Sequence, residues 1–271
     1  MTQLLTSSQV AKLLGVAPSS VKRWTQSGLL PCETTPGKHR RFTREQVENF
    51  ARFHRELRRG EPVHEATAWT DLLLKVESSY ELQSVLLAER GRQSSWHAVA
   101  DHMGLVLEEL GARWARGEIS VLDEHRASER LARALAWCAE SIPVSHEASI
   151  AFLATPEGEE HTLPLNLAEL CLREAGWNVI WGGRSLPTPE IVRAIESHKL
   201  ELVGLTASKS CADVKALSDQ ARLLGAACAR TGAHLVLGGS GAWPEMPEYA
   251  EHVHRLRSFG GFHEFLLSSA D

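Results

Sequence analysis

The 271-residue chain contains no C-x-x-C pair, no apolar run approaching 20 residues and no internal repeat or low-complexity tract. Each absence narrows the field. Cys32, Cys138, Cys171, Cys211 and Cys228 stand apart from one another, which argues against a zinc site or a disulfide framework and reads them as reduced, mostly buried thiols. Without a long apolar run there is no membrane-spanning helix and no membrane partner. The opening MTQLLTSSQV lacks a basic segment followed by an apolar one, so the expected compartment is the cytoplasm.

The net charge of -5 is unevenly placed. Residues 1–60 hold eleven Lys and Arg against four Asp and Glu, so a basic segment precedes a strongly acidic remainder. The length suits two or three domains, each with a core. In the first, Ser7 to Leu14 is periodic, Gly15 breaks the pattern, and Ala17 to Ser27 is periodic again up to Gly28, giving two short helices around a tight turn. Thr43 opens a third helix as its N-cap, with Glu45 and Gln46 in the first turn. From about Ala68 to Ile142 there is no proline, and apolar residues recur at helical spacing, as in Val99, Met103, Val106, Leu107, Leu110 and Trp114, predicting about four helices. After Pro143 short β-rich runs alternate with helices: Ser149 to Leu153, Leu165 to Ala175, Trp177 to Trp181, Pro189 to His198, Leu202 to Thr206, Ala212 to Arg230 and His234 to Leu237. Such alternation predicts a doubly wound parallel sheet. The boundaries follow as 1–62, 68–143 and 147–271.

The stretch LTSSQVAKLLGVAPSSVKRWTQSGLLP, followed by TPGKHRRFTREQV, resembles the winged helix-turn-helix domain of MerR-like regulators and excisionases. The resemblance implies that the second helix, with Ser19, Ser20, Lys22 and Arg23, enters the major groove of a double-stranded DNA operator. It also implies that Lys38, His39, Arg40 and Arg41 form a wing. The physical reading agrees, since clustered cations neutralise phosphates and a short helix offers polar groups to base edges. Trp24 and Leu29 are assigned to the small core.

In the last segment, AFLATPEGEEHTLPLNLAELCLREAGWNVIWGG places His161 in the loop between a strand and a helix, where open α/β sheets bind ligands. A neutral imidazole there can coordinate a transition metal while a carboxylate fixes its tautomer. Glu159-x-His161, then LVGLTAS, then LVLGGSGAW, resembles the Rossmann-like cobalamin-binding domain, with Glu159 in place of its Asp and Pro164 in place of its Gly. The resemblance implies that His161 becomes the lower axial ligand of cobalt, and that Thr206, Ser208, Gly238 and Gly239 border the buried nucleotide tail.

Upstream, LGARWARGEISVLDEHRAS resembles the helical-bundle motif of CarH-type photoreceptors, a Trp followed by Glu-His, here Trp114 and Glu124-His125. In that family the four-helix bundle caps adenosylcobalamin, the Trp lying against the adenosyl group. In light-sensing relatives a His directly follows the Trp and can ligate cobalt after photolysis; here Ala115 stands in that place, leaving His125, His97, His102 or no residue for the role. The implied function is a non-enzymatic DNA-binding repressor that self-associates as a homodimer or homotetramer and responds to light by losing the adenosyl group. Two other readings stand beside it: a ligand-independent repressor whose cobalamin fold is a protein-interaction module, and a corrinoid methyltransferase module.

Overall fold

The computed structural model of the chain describes residues 66–245, 249 and 251–268 and, nearer the start, 4–14, 18, 21, 22, 25, 30, 32–34, 37, 39–44, 46 and 47. It divides into two compact units, residues 1–64 and 65–271.

In the first unit, β1 (Leu5–Thr6) leads into α1 (Ser7–Leu14), and β2 (Glu33–Thr34) and β3 (Arg40–Phe42) form an antiparallel hairpin. The sheet order is β1-β3-β2. Local chemistry sets the helix starts. The Gln9 amide donates to Thr6 Oγ1 at 3.3 Å while the Thr6 amide donates to Gln9 Oε1 at 2.8 Å. The same reciprocal cap joins Thr43 and Gln46, at 3.1 and 2.9 Å, as the expected N-cap at Thr43 requires. Val10, Ala11, Val21, Leu30, Phe42 and Val47 close the small core. Trp24 and Leu29 lie outside the described residues.

The second unit begins with four helices: α2 (Ala66–Lys75), α3 (Ser79–Gln93), α4 (Trp96–Ala115) and α5 (Val121–Glu140). Ser78, Ser95 and Ser120 each accept a hydrogen bond from the backbone N–H three residues on, satisfying one of the donors a helix start leaves open. The expected apolar stripe on α4 is buried at Val99, Met103, Val106 and Leu110, each side chain contributing about 1.5–3 kcal/mol by leaving water. The stripe then outruns the core, and Trp114 in the last turn is half exposed.

Next come β4 (Ile150–Pro156), α6 (Leu163–Glu174), β5 (Asn178–Leu186), α7 (Thr188–Ser197), β6 (Leu202–Thr206), α8 (Val214–Thr231), β7 (His234–Gly238), β8 (Val253–Arg255) and α9 (Phe259–Ser268). The expected parallel sheet is present in the order β5-β4-β6-β7-β8. Its strand order reverses between β4 and β6, the position where a crevice opens at the carboxyl ends of the strands. The last strand and helix, β8 and α9, were not foreseen.

Two carboxylates join the bundle to the sheet layers. Glu174, ending α6, accepts from the Trp96 amide at 2.7 Å and from Arg90 Nε at 2.7 Å. Asp101 on α4 accepts from the Phe259 and Gly260 amides at 2.6 and 2.9 Å, capping α9. Helix α4 therefore starts where α6 ends and packs against it. At 1.5 Å per residue it is about 12 Å longer than α6. Among the described residues no helix is long and apolar enough to cross a membrane.

Candidate functional site

The site is assembled at the reversal of strand order. Glu159 follows β4 and is 1% exposed. Its Oε1 accepts from the His161 amide at 2.8 Å and lies 2.5 Å from His161 Nδ1; its Oε2 accepts from the Ser208 amide, just past β6, at 2.6 Å. One carboxylate thus bridges the loops after the two strands that flank the crevice. Burial by itself would push this carboxyl up, but the hydrogen bonds from Ser208 and His161 outweigh it and hold the group at about 2. A charged Glu159 against Nδ1 leaves the proton there, so Nε2 is the lone-pair nitrogen. His161 is 65% exposed at its side chain, and among the described residues nothing hydrogen-bonds its Nε2. The donor set fits a transition metal held from one side by an oriented imidazole. Pro164 sits in the first turn of α6, where no intrahelical N–H is needed.

Ser208, expected at the border of the tail, has its Oγ 3.3 Å from His161 Nδ1 and 2.5 Å from Ser210 Oγ. Ser210, Thr155 and Ser185 had no signal in the sequence pattern. Thr155 Oγ1 donates to the Glu159 carbonyl at 2.5 Å and accepts from the Ser185 amide at 2.7 Å. Ser185 has a positive φ of 50° and receives the Gly158 amide on its hydroxyl at 2.9 Å, pinning the loop that carries Glu159. Hydroxyl groups of this kind are too common in sequences to be singled out before the chain is folded.

The glycines after β7 have unequal reasons. At Gly239, with φ +79°, a Cβ would stand 2.3 Å from the Ala207 carbonyl oxygen, so the chain's own packing demands glycine there. At Gly238 the nearest atom to a Cβ would be the Leu205 carbonyl at 3.6 Å, an ordinary contact that leaves the side open. Thr206 ends β6 and is buried beside Gly239.

Trp114 and the Glu124-His125 pair occupy one end of the bundle, where α4 passes to α5. Glu124 Oε2 is 2.7 Å from His125 Nδ1, and Glu124 Oε1 accepts from Ser128 Oγ at 2.6 Å. Trp114, Val121 and Leu122 are 50%, 53% and 65% exposed, an apolar grouping with a polar pair beside it. Elsewhere on α4, His97 stacks on His263 at 4.2 Å, and His102 meets Trp69 edge-on inside the bundle. Counted along the helix, His97 and His102 lie about 25 and 18 Å from Trp114. Of the imidazoles considered from the sequence, only His125 shares the end of the bundle with Trp114.

In the first unit Lys22 is exposed on a helical residue, His39 is exposed, and Arg40 and Arg41 are half-buried on β3. Successive strand residues face opposite sides, so the two arginines do not share a face. Ser19, Ser20, Arg23 and Lys38 lie outside the described residues.

Comparison with known proteins places these sites in families. Residues 4–55 match a helix-turn-helix domain, residues 150–254 a B12 binding domain, and residues 94–139 a second B12 binding domain family. The chain is 24% identical over 237 residues to the HTH-type transcriptional repressor CarH of Myxococcus xanthus, covering 75% of this chain and 79% of that protein. It resembles the monomethylamine corrinoid protein of Methanosarcina barkeri with a TM-score of 0.56 and 14% identity, over 73% of this chain and 95% of that one. That likeness concerns the fold. The order helix-turn-helix, helical region, parallel-sheet domain is the CarH-like order.

Proposed function

We propose that this chain, a CarH-like regulator joining a helix-turn-helix domain to a B12-binding region, represses transcription under the control of adenosylcobalamin and light. The observation that carries the reading is the Glu159 bridge. It orients the His161 imidazole at the carboxyl edge of the sheet with Nδ1 on the carboxylate, so that Nε2 is the nitrogen that would bind cobalt.

In this reading His161 supplies the lower ligand. Glu159 fixes its tautomer and orientation, and Ser208 holds the carboxylate in place. Thr206, Gly238 and Gly239 border the groove for the nucleotide tail, whose glycine at 238 leaves room. Trp114 covers the upper face, where a flat apolar ring suits an adenosyl group, and Glu124 offers a carboxylate to ribose or adenine N–H and O–H donors. When bound, adenosylcobalamin supplies a cobalt–carbon bond that visible light breaks. The residues of the bundle then lose the group they pack against, and bundle and sheet settle into a second arrangement. Self-association, as a homodimer or homotetramer, is part of the same reading, because a multivalent assembly on an operator loses avidity when it comes apart. Lys22, Arg40 and Arg41, together with Ser19, Ser20, Arg23, Lys38 and His39, are the proposed DNA contacts.

The test reconstitutes the full chain with adenosylcobalamin, methylcobalamin or hydroxocobalamin, then follows gel filtration and DNA retention in the dark and after green light. The proposal expects a light-dependent change in assembly and DNA affinity with the adenosyl form alone. An assembly unchanged by light would refute the photoreceptor function and leave a cobalamin-dependent or cobalamin-independent repressor.

A further inference from the structure

Arg255 ends β8 and sits opposite Leu237 of β7 in the parallel ladder, at the carboxyl edge of the sheet. Its guanidinium reaches back over the end of β7. One terminal nitrogen donates to the Leu237 and Leu256 carbonyls at 3.0 and 2.9 Å, and the other donates to the Gly239 carbonyl at 2.6 Å. Among the described residues no carboxylate comes within ion-pair distance of it, and its Nε is buried without a partner. Partly burying a cation without a paired carboxylate costs free energy that its hydrogen bonds to these carbonyls must offset.

What they hold is the turn at Gly238 and Gly239. Gly239 is in the left-handed region and packs against Ala207. The indole of Trp243, itself 4% exposed, donates to the Gly238 carbonyl at 2.8 Å. The Gly241 amide donates to the Ala207 carbonyl at 2.7 Å, and the Ala207 amide donates to Gly238 O at 3.3 Å. Both carbonyls of the turn are therefore drawn inward by side chains, one from each flank. The turn is locked to the loop after β6, while a Cβ at Gly238 would meet only the Leu205 carbonyl, at 3.6 Å.

We propose that Arg255, with Trp243, is a positioning residue for the nucleotide tail of a bound cobalamin: it fixes the Gly238–Gly239 turn so that the groove beside it exists before the ligand arrives. The inference rests on the cobalamin reading above and deepens it. A planar fork contacting three carbonyls has no equivalent in lysine, whose three donors radiate from a single point. Loss of the grip makes the tail groove a structure to be formed on binding, which weakens association.

Cobinamide, which lacks the nucleotide tail, separates positioning from general folding. The full chain, the Arg255→Met, Arg255→Lys and Trp243→Phe variants, and His161→Ala as a reference are each titrated with hydroxocobalamin and with cobinamide, following the corrinoid absorbance retained. Arg255→Met, which removes all three carbonyl contacts, is expected to bind cobalamin about tenfold more weakly, with cobinamide unchanged. Arg255→Lys is expected to recover little of this, and Trp243→Phe to fall in the same direction by less. Equal losses for both corrinoids would show a merely structural role, and an unaltered preference for cobalamin would likewise overturn the proposal. If the native chain retains neither corrinoid, the cobalamin reading itself fails and this inference with it, an outcome read directly from the unsubstituted protein.

Discussion

Replacing Glu159 by glutamine removes one charge while keeping the shape of the side chain. The carboxylate accepts from the His161 amide and stands against Nδ1 on one oxygen, and accepts from the Ser208 amide on the other. A primary amide has a single acceptor oxygen, and its NH2 group must face one set of these donors. Whichever way it turns, at least one charge-assisted bond becomes an opposition of donors. A hydrogen bond to a charged group contributes about 1.5–3 kcal/mol and an unsatisfied buried donor adds about 1–3 kcal/mol, so the net loss is roughly 3 kcal/mol after partial rearrangement. For a unit of some 200 residues this lowers Tm by about 6–12 °C. Thermal unfolding of the full chain, before any corrinoid is added, reads the shift, and amide exchange locates it at Ser208 and His161. A Tm within about 2 °C of the native value, with unchanged protection at Ser208, would refute the claim that this carboxylate staples the two loops.

Other outcomes follow from the same structure. Burial first, and then the neighbouring imidazoles, hold His234 and His254 below the ordinary 6.5, with His234 Nδ1 3.0 Å from His254 Nε2. The unfolded chain then binds more protons than the folded one just below that value. Stability is full above pH 6.5 and falls as acid is added through the lowered folded values, which urea midpoints at pH 8 and pH 5 check. Gly239→Ala forces a Cβ onto the Ala207 carbonyl at a left-handed residue and is expected to destabilise by about 1–3 kcal/mol; a urea titration showing no change would mean that the turn is not held. Asp101→Ala removes the acceptor for both the Phe259 and Gly260 amides, and these amides are expected to exchange faster while those of β6 do not.

Much of the fold could be read from periodicity. Leu202–Thr206 matches its expected bounds, as does α1, because each is a run whose pattern has one meaning. The final strand and helix escaped notice for opposite reasons. Val253–Arg255 is three residues long, and Phe259–Ser268 contains two glycines and no charged first turn, so neither carries the spacing that marks an element. The site divides similarly. Glu159 and His161 are two residues apart and chemically distinctive, and could be paired before folding. Arg255 and Trp243 act on the Gly238–Gly239 turn through backbone carbonyls, which every residue has, so only the folded chain brings them forward. The resemblance puts Gly239 at the border of the nucleotide tail, whereas the close approach that requires a glycine there comes from Ala207.

The central claim is that His161 holds cobalt from below in a chain that also binds DNA. The direct measurement is the absorbance spectrum and retained corrinoid of the full chain and of His161→Ala after gel filtration with adenosylcobalamin in the dark. The account predicts a spectrum of cobalt ligated by imidazole, with the nucleotide base displaced, in the native chain, and a loss of both that spectrum and most of the retained cofactor in the variant. Equal retention by the two proteins, or a native spectrum with the nucleotide base still on cobalt, would contradict it.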